Sequence, residues 1–496
     1  MGYPLARSAF AFELCGALLL ACARPKPEGP GPHVFDDLRH STKQNRLDYR
    51  LGPDTFAYQG LFAYARLFDR LEAGGYSTHS LDEPLTPDGL DGFETLFINL
   101  VSEDLPDFDA EELDAVAAFV EHGGGLVLIA DHSNAYGHAE RINRLLAPSG
   151  LAAMLHTAVE NDPDATVEGT GWLLVSAFAE HPVTKEIRAI SLQTGGPIWG
   201  GTGLAFTSED SFADLWNPND PNGHYGNWTH DGDEAVEPRG PLSVVSVAEW
   251  GRGRVVVIGD QNIFGDAWLY FADNFTLAAN AFDWVTHRED APLRAVPSTK
   301  LSIGLDQRSA PRAAGRTDPS GFYGFFVALN RHAEVEAHAR FELGEDRITI
   351  LTEPSVGLDD AAVQKVRGRL RAGGDLWVLG ETPAARQLLF ALDSTYPGSD
   401  SGGELRSTHL TSSVLDVDDL ELTTSVLRLS WGSSLISGDG FDVAREASVL
   451  GGRVVVFPSA RPFINATLGD PGKEPAGEAR QAHALVGRLV AWAATR

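Results

Sequence analysis

The chain has 496 residues, 43% of them apolar and 22% charged, a balance that excludes a disordered polymer and, at this length, a single hydrophobic core. Its 69 acidic residues against 39 basic ones leave a net charge of −30, which repels nucleic acid and anionic membrane and excludes both as charge-driven partners. Both cysteines, Cys15 and Cys22, precede Ala23, so the rest of the chain can form no disulfide, thiolate nucleophile or Cys-type zinc site.

Residues 1–32 read as an export signal and a tether. An apolar stretch from Ala9 to Ala21 is too short to span a bilayer, and Leu19-Leu-Ala-Cys22 is similar to the lipobox of bacterial lipoproteins, in which the cysteine is lipidated; Glu13 inside the run departs from that pattern. The segment Ala23 to Pro32, rich in Pro and Gly, suits a flexible connection between a membrane anchor and a folded domain.

From residue 33 to about 290, short apolar runs alternate with helical patterns, the signature of βαβ units and a mainly parallel sheet covered on both faces. The runs predict strands near His33 to Leu38, Tyr76 to Leu81, Glu94 to Val101, Gly125 to Ala130 and Arg254 to Gly259, with helices near Phe56 to Ala73, Asp109 to Glu121, His138 to Ala147 and Phe271 to Thr286. Gly171 to Phe178 and Pro241 to Glu249 add strands of mixed orientation, and Ser208 to Gly240 is a long polar insertion. Its Asp220, Asn222, Asp231 and Asp233 do not reproduce an EF-hand register.

After a linker at Ala291 to Pro297 the plan repeats over residues 298–496. Strands are expected at Leu301 to Leu305, Arg347 to Thr352, Leu376 to Leu379 and Arg453 to Phe457, with a closing helix near Glu478 to Ala494. His122-Gly-Gly-Gly-Leu-Val-Leu-Ile-Ala-Asp131 is echoed by Ala372-Gly-Gly-Asp-Leu-Trp-Val-Leu-Gly-Glu381, and Gly253-Arg-Val-Val-Val-Ile-Gly-Asp260 by Gly452-Arg-Val-Val-Val-Phe-Pro-Ser459. Upstream, Tyr58-Gln-Gly-Leu-Phe answers Tyr323-Gly-Phe-Phe. Matching segments in matching order argue for a tandem duplication of one α/β domain, flavodoxin-like in kind.

In an open parallel sheet, side chains just past the carboxyl ends of strands face a shared crevice. Three strand ends of the first unit carry Asp37 and His40; Asp131, His132 and Asn134; and Asp260, Gln261 and Asn262. These residues form the candidate ligand site, for a small polar molecule or a saccharide. Asp37, His40, Asp131, His132 and Asp260 are also hard oxygen and imidazole donors suited to a divalent metal that activates water, although no fixed-spacing metal motif accompanies them. The alternative is local: Asp131 and Asp260 cap the turns after their strands, and His132 and Asn134 bond nearby backbone. Ser133 lacks the Gly-x-Ser-x-Gly pattern of a nucleophile elbow. Trp172, Trp199, Trp216, Trp228, Trp250 and Trp268 gather in the first unit and could stack a sugar ring or simply pack.

The Gly-Gly-Gly-Leu-Val-Leu-Ile-Ala-Asp-His segment, His181-Pro-Val-Thr184 and Gly-Arg-Val-Val-Val-Ile-Gly-Asp together resemble the class I glutamine amidotransferase-like superfamily. Within it the nearest groups are DUF4350 and ThuA-like bacterial proteins and extracytoplasmic domains associated with gliding motility and ABC transport. Asp37-Leu-Arg-His40 is similar to the Asp-Glu-Ala-His opening of some DUF4350-like lipoproteins. Glutaminases of the superfamily hold a cysteine where this chain has Asp131 and His132, so the resemblance does not extend to thioester chemistry. It implies two tandem amidotransferase-like domains, the second degenerate, in an envelope lipoprotein that binds a ligand or an envelope protein partner.

Overall fold

The computed structural model describes residues 27–29, 31–41, 49–167, 170–219, 225–290, 292–295, 301–306, 317–338, 347–398, 405–425 and 429–495. Cys15, Cys22 and the apolar leader lie outside them, as do Asp220, Asn222 and residues 291, 296 and 297 of the expected linker. Among the described residues no helix is long and apolar enough to cross a membrane.

The first half is built on an eight-stranded sheet. Its strands are β1 (His33–Asp37), β2 (Ser77–Leu81), β3 (Thr95–Asn99), β4 (Gly125–Ile129), β5 (Ala177–Phe178), β6 (Thr202–Phe206), β7 (Ser243–Trp250) and β8 (Gly253–Ile258), in spatial order β2-β1-β3-β4-β8-β7-β6-β5. The first five in that order are parallel, and β7, β6 and β5 continue the sheet antiparallel. The parallel part has the 2-1-3-4-5 order of flavodoxin-like folds. Leu-Val-Leu-Ile in β4 and Val-Val-Val-Ile in β8 are apolar at every position because both faces of a parallel sheet are covered. On one face Val127, Ile129, Val256 and Ile258 pack under α2 (Ala65–Ala73) and α5 (Asn274–Val285); on the other Leu126, Leu128, Val255 and Val257 pack under α3 (Ala110–Glu121) and α4 (His138–Leu146).

The second half repeats this plan. Its nine strands are β9 (Ser302–Asp306), β10 (Glu334–His338), β11 (Ile348–Thr352), β12 (Asp375–Leu379), β13 (Leu405–Ser412), β14 (Val417–Ser425), β15 (Ser433–Gly438), β16 (Phe441–Val449) and β17 (Gly452–Phe457), in order β10-β9-β11-β12-β17-β16-β15-β13-β14. Again the first five are parallel. Helices α6 (Tyr323–Asn330) and α9 (Gly477–Ala494) cover one face, α7 (Asp360–Arg371) and α8 (Pro383–Leu392) the other. The likeness extends to backbone strain: Leu100 after β3 and Glu353 after β11 both have left-handed φ, 43° and 42°, and each donates its N–H to the last residue of the neighbouring strand, Ile129 or Leu379.

Two expectations need correction, and one region goes beyond them. The helix expected over Phe56 to Ala73 is broken: α1 (Tyr58–Phe62) ends where Ala63 turns extended, and α2 starts afresh at Ala65. Since α2 precedes β2 as α6 precedes β10, Tyr58 is not the counterpart of Tyr323 but belongs to the extra helix α1. The antiparallel strands from Leu405 to Val449, with exposed outer positions in β13 and β14, leave only a weak apolar signal in the sequence.

The halves share apolar packing. Trp268, fully buried, stacks on Phe271 at 3.9 Å and meets Phe326 edge-on, and one cluster runs from Leu61, Phe62 and Trp268 into the core of the second sheet. The backbone of Phe271 bridges in parallel to Ala337 of β10, so a piece of the first half extends the edge of the second sheet. Arg66 Nη1 donates to Asn330 Oδ1 at 2.8 Å across the same boundary.

Candidate functional site

Register decides which strand-end residues meet. Ile129 of β4 pairs with Ile258 of β8, and two residues on, Asp131 and Asp260 stand side by side on the face of the sheet that α2 and α5 cover. Both are buried. Asp260 accepts from the backbone N–H groups of Gln193 and Asn262, each at 2.8 Å, and Asp131 from that of His132 at 2.7 Å. No Lys or Arg among the described residues pairs with either. Burial and the adjacent Asp260 push the Asp131 carboxyl well above the usual carboxylate range, and burial raises Asp260 to about 7 in spite of its two N–H donors. Two like charges held together in a desolvated site do not both ionise, so the pair keeps a proton near neutral pH and offers a donor beside an acceptor.

The walls follow from local backbone. Residues 193 to 197 cross over the ends of β4 and β8, with Gly196 N bonded to Gly259 O at 2.7 Å. A Cβ at Gly196 would lie 2.2 Å from the Asp131 carbonyl, so only glycine permits that crossing. Tyr64, buried at the start of α2, donates its hydroxyl to the Gln261 carbonyl, and its phenol is raised by burial and then by Asp260 and Asp131. Behind the pair, His138 accepts the Asp131 N–H at Nε2 (3.0 Å) and donates from Nδ1 to the Ala135 carbonyl (2.8 Å). Burial pushes this imidazole down to about 4. It is therefore a neutral support that fixes the turn after β4.

The rim is aromatic. The His132 ring stacks on Tyr225 at 4.5 Å and 5°, and Tyr225 lies 5.2 Å from Trp228. Tyr58 and Tyr136, both exposed, have phenols raised first by burial and also by Asp131. Tyr225 and Trp228 bring the polar insertion to this mouth. The insertion is itself ordered by carboxylates: Asp214 accepts from Asn227 N (3.2 Å) and Trp228 N (2.8 Å), and Glu237 from Asp231 N (2.6 Å).

Of the residues anticipated for the site, the structure thus joins Asp131, His132, Asp260, Gln261 and Asn262. Gln261 donates from Nε2 to Asn262 Oδ1 at 3.0 Å, and its own Oε1 is buried without a hydrogen bond. Asn134 instead caps the start of α4, accepting from Ala139 N (3.1 Å) and Glu140 N (3.4 Å). Asp37 and His40 project to the opposite face. There His40 Nδ1 lies 3.1 Å from both Asp37 oxygens, its Nε2 lies 3.4 Å from Glu112 Oε1, and its ring stacks on Phe108 at 4.2 Å. The anticipated five-donor metal cluster is split by the sheet, and among the described residues no three His, Cys, Asp or Glu side chains come together to hold an ion. Ser133 is buried in a left-handed turn (φ 49°) with its Oγ 2.9 Å from His132 Nδ1.

Tyr58, Tyr64, Tyr136, Gln193 and Tyr225 were not anticipated. They come from a helix, loops and the insertion, with no shared spacing that marks them. Three of the six tryptophans pack: Trp250 and Trp268 are buried, and Trp172 meets Trp268 edge-on, whereas Trp199 is exposed. Trp228 stands beside the tyrosine rim.

No curated protein is similar to the chain at a significant level. Among solved structures, similarity in fold is found to a ThuA-like protein from Bacteroides uniformis, with 16% identity and a TM-score of 0.31 over 53% of this chain and 94% of that one. The N-terminal domain of mmIFT52 gives 15% identity and a TM-score of 0.34 over 51% and 97%. A cold-adapted β-galactosidase from Rahnella sp. R3 gives 16% and 0.28 over 51% of this chain and 31% of the enzyme. Residues 63–282, the stretch that carries Asp131 and Asp260 and stops short of the second sheet, match the family described as "Domain of unknown function (DUF4350)".

Proposed function

We propose that the first half binds a small, uncharged, hydroxyl-rich ligand, of saccharide type, in the crevice over Asp131 and Asp260, and that it does so without converting it. The observation that carries this reading is the buried carboxyl pair with no Lys or Arg partner among the described residues and with His132 Nε2 3.7 Å from Asp131: a shared proton makes it a donor and an acceptor at once, which suits a hydroxyl. The rim of Tyr58, Tyr136, Tyr225 and Trp228 supports it, because aromatic faces stack on the apolar face of a sugar ring. The shared strand order of the two sheets supports a duplicated, amidotransferase-like ancestry, with the second unit as scaffold. Leu19-Leu-Ala-Cys22 supports lipid anchoring at Cys22 and a place in the cell envelope, where an envelope protein is the further partner.

Titration of the protein with oligosaccharides tests the reading. Binding is expected in the wild type and a loss of at least tenfold in Asp131→Asn and Asp260→Asn. Turnover of glycan, ester or phosphate substrates that vanishes in Asp131→Ala and His132→Ala would replace it with a hydrolase. The contact of Ser133 Oγ with His132 Nδ1 favours that second reading. A metal-assisted version has weaker support, since Asp37 and His40 lie across the sheet from Asp131 and Asp260; elemental analysis and thermal shift with Zn²⁺, Mn²⁺ or Ca²⁺ test it directly. Radiolabelled palmitate incorporation that disappears in Cys22→Ala tests the anchor.

A further inference from the structure

A cavity of about 830 Å³ opens between the halves, walled by Pro53 to Ala57 on one side and by His332, the Gly472 to Pro475 loop and one face of α9 on the other. In a chain of net charge −30, its lining brings Lys473, Arg480 and Arg488 against only Asp54 and Glu474. The three cations are held by exposed carboxylates, Asp470, Glu474 and Asp416, at 2.8, 3.0 and 2.8 Å. Such surface pairs exchange partners at little cost.

Behind the lining lies an arginine with no carboxylate partner among the described residues. Arg331 is 3% exposed. Its guanidinium donates to the carbonyls of Gly52 (3.3 Å) and Pro471 (2.7 Å), stacks on Phe56 at 4.3 Å, and leaves Nε unbonded. His332 and His483 line the cavity next to it; His483 Nε2 lies 3.2 Å from the Leu468 carbonyl, and its ring meets Phe56 edge-on at 5.3 Å. Burial, with Arg331 adding to it, pushes both imidazoles down, His483 to about 4, and Asp54 is the carboxylate that acts on His332 in the other direction. Arg331 itself is pushed down to about 10 by burial. Among the described residues Arg331 is thus a cation of this site that no carboxylate neutralises, while Lys473, Arg480 and Arg488 each have one.

We propose that this cavity binds a small organic anion bearing carboxylate or phosphate groups, held between the halves by Lys473, Arg480 and Arg488 and balanced by Arg331, His332 and His483. An anion there offsets the buried guanidinium and lets the imidazoles take up protons; a neutral ligand does neither. The volume suits a metabolite-sized molecule. The crevice over Asp131 and Asp260 is acidic and would repel the same ligand, so the two sites take opposite chemistry and stand or fall separately.

Citrate and inorganic phosphate, added separately to the full chain, are the probes, read by calorimetry and thermal shift at pH 5.5 and 7.5. At least one is expected to bind, with a pH dependence displaced toward acid relative to the anion's own titration, because binding draws protons onto His332 and His483. Citrate alone points to carboxylates and phosphate alone to phosphates. Arg480→Gln/Arg488→Gln, two exposed positions, should weaken binding at least tenfold with the unliganded Tm unchanged, and His483→Gln should reduce the pH dependence. The proposal is overturned if neither anion shifts Tm at either pH, or if the double variant responds as the wild type does. Saccharide titration of the same double variant reports separately on the Asp131 and Asp260 crevice.

Discussion

The carboxyl ends of the two sheets stand on one frame and carry opposite electrostatics. In the first, Ile129 pairs with Ile258 and the residues two steps on are Asp131 and Asp260; in the second, Leu379 pairs with Phe457 and the corresponding residues are Glu381 and Ser459. Glu381 is satisfied within its own half, accepting from the Tyr396 hydroxyl and from Arg386 Nη2 at 3.3 Å. Asp131 has no Arg or Lys partner among the described residues and faces a second carboxyl instead. A carboxylate already neutralised by its own half has little left for a ligand, whereas a desolvated pair sharing a proton keeps hydrogen-bonding capacity open at a cost in stability. Strand order does not distinguish the crevices; one residue exchange beside a carboxylate and the presence of Arg386 do.

The largest expected effect breaks the comparison by separating the halves. Trp268→Ala removes a fully buried ring from the shared cluster and should cost about 3–5 kcal/mol. Calorimetry should show the whole chain destabilised; an unchanged transition for the second half would mean that the first crevice does not lean on it.

Next, Asp131→Asn should flatten the pH dependence of stability. The folded pair has raised pKa values, so between about pH 4 and pH 7 the native state binds more protons than the unfolded chain, and its stability falls as pH rises through that window. Denaturant titrations should find the variant more stable than the wild type at pH 8, by about 1–2 kcal/mol on the scale of one pKa unit, and no more stable at pH 4. An identical slope in both proteins would remove the proton-sharing pair.

Ser459→Asp sharpens the comparison from the other side by placing a second carboxyl beside Glu381. It is expected to cost about 1 kcal/mol at pH 8 and less at pH 4, where the introduced carboxyl takes up a proton. A loss of equal size at both pH values would point to packing rather than charge.

The smallest effect lies in the matched helix starts. Asp109 and Glu112 form a reciprocal capping box on α3, with bonds of 2.9 and 3.1 Å, while Asp359 caps α7 through a single bond to Ala362 N at 2.7 Å. Asp109→Ala should cost roughly 0.5–1 kcal/mol and Asp359→Ala roughly 0.5 kcal/mol. Glu112 also carries the contacts to Leu85 N and His40, which the first substitution loosens.

Much of the fold was legible because buried parallel strands are continuous apolar runs bounded by glycine, as in Gly125 to Ile129 and Gly253 to Ile258, and because Asp109 and Asp359 mark helix starts. The antiparallel strands after Leu405 were not, since their outward positions are polar and no periodic run stands out. Less of the site was legible. Position after a strand identified Asp131, His132 and Asp260, but not the face each takes. Asp37 follows Phe35, two residues earlier, toward α3, and Asp131 lies on the other face with Ile129. Tyr58, Tyr136 and Tyr225 converge from segments up to 167 positions apart by their numbering, with no local pattern to announce it.

What the sequence determined by itself was the local alternation of strands and helices, the recurrence of that alternation in the second half, and the absence of cysteine beyond Cys22, because each depends on neighbours along the chain. What only the tertiary structure decided was the pairing of Asp131 with Asp260, the separation of both from Asp37 and His40, and the burial of Arg331 beside two histidines between the halves. Strand register, the face of a sheet and the dielectric around a charge arise from segments far apart in sequence, and it is these that set whether a carboxyl is a cap, a ligand or a proton store.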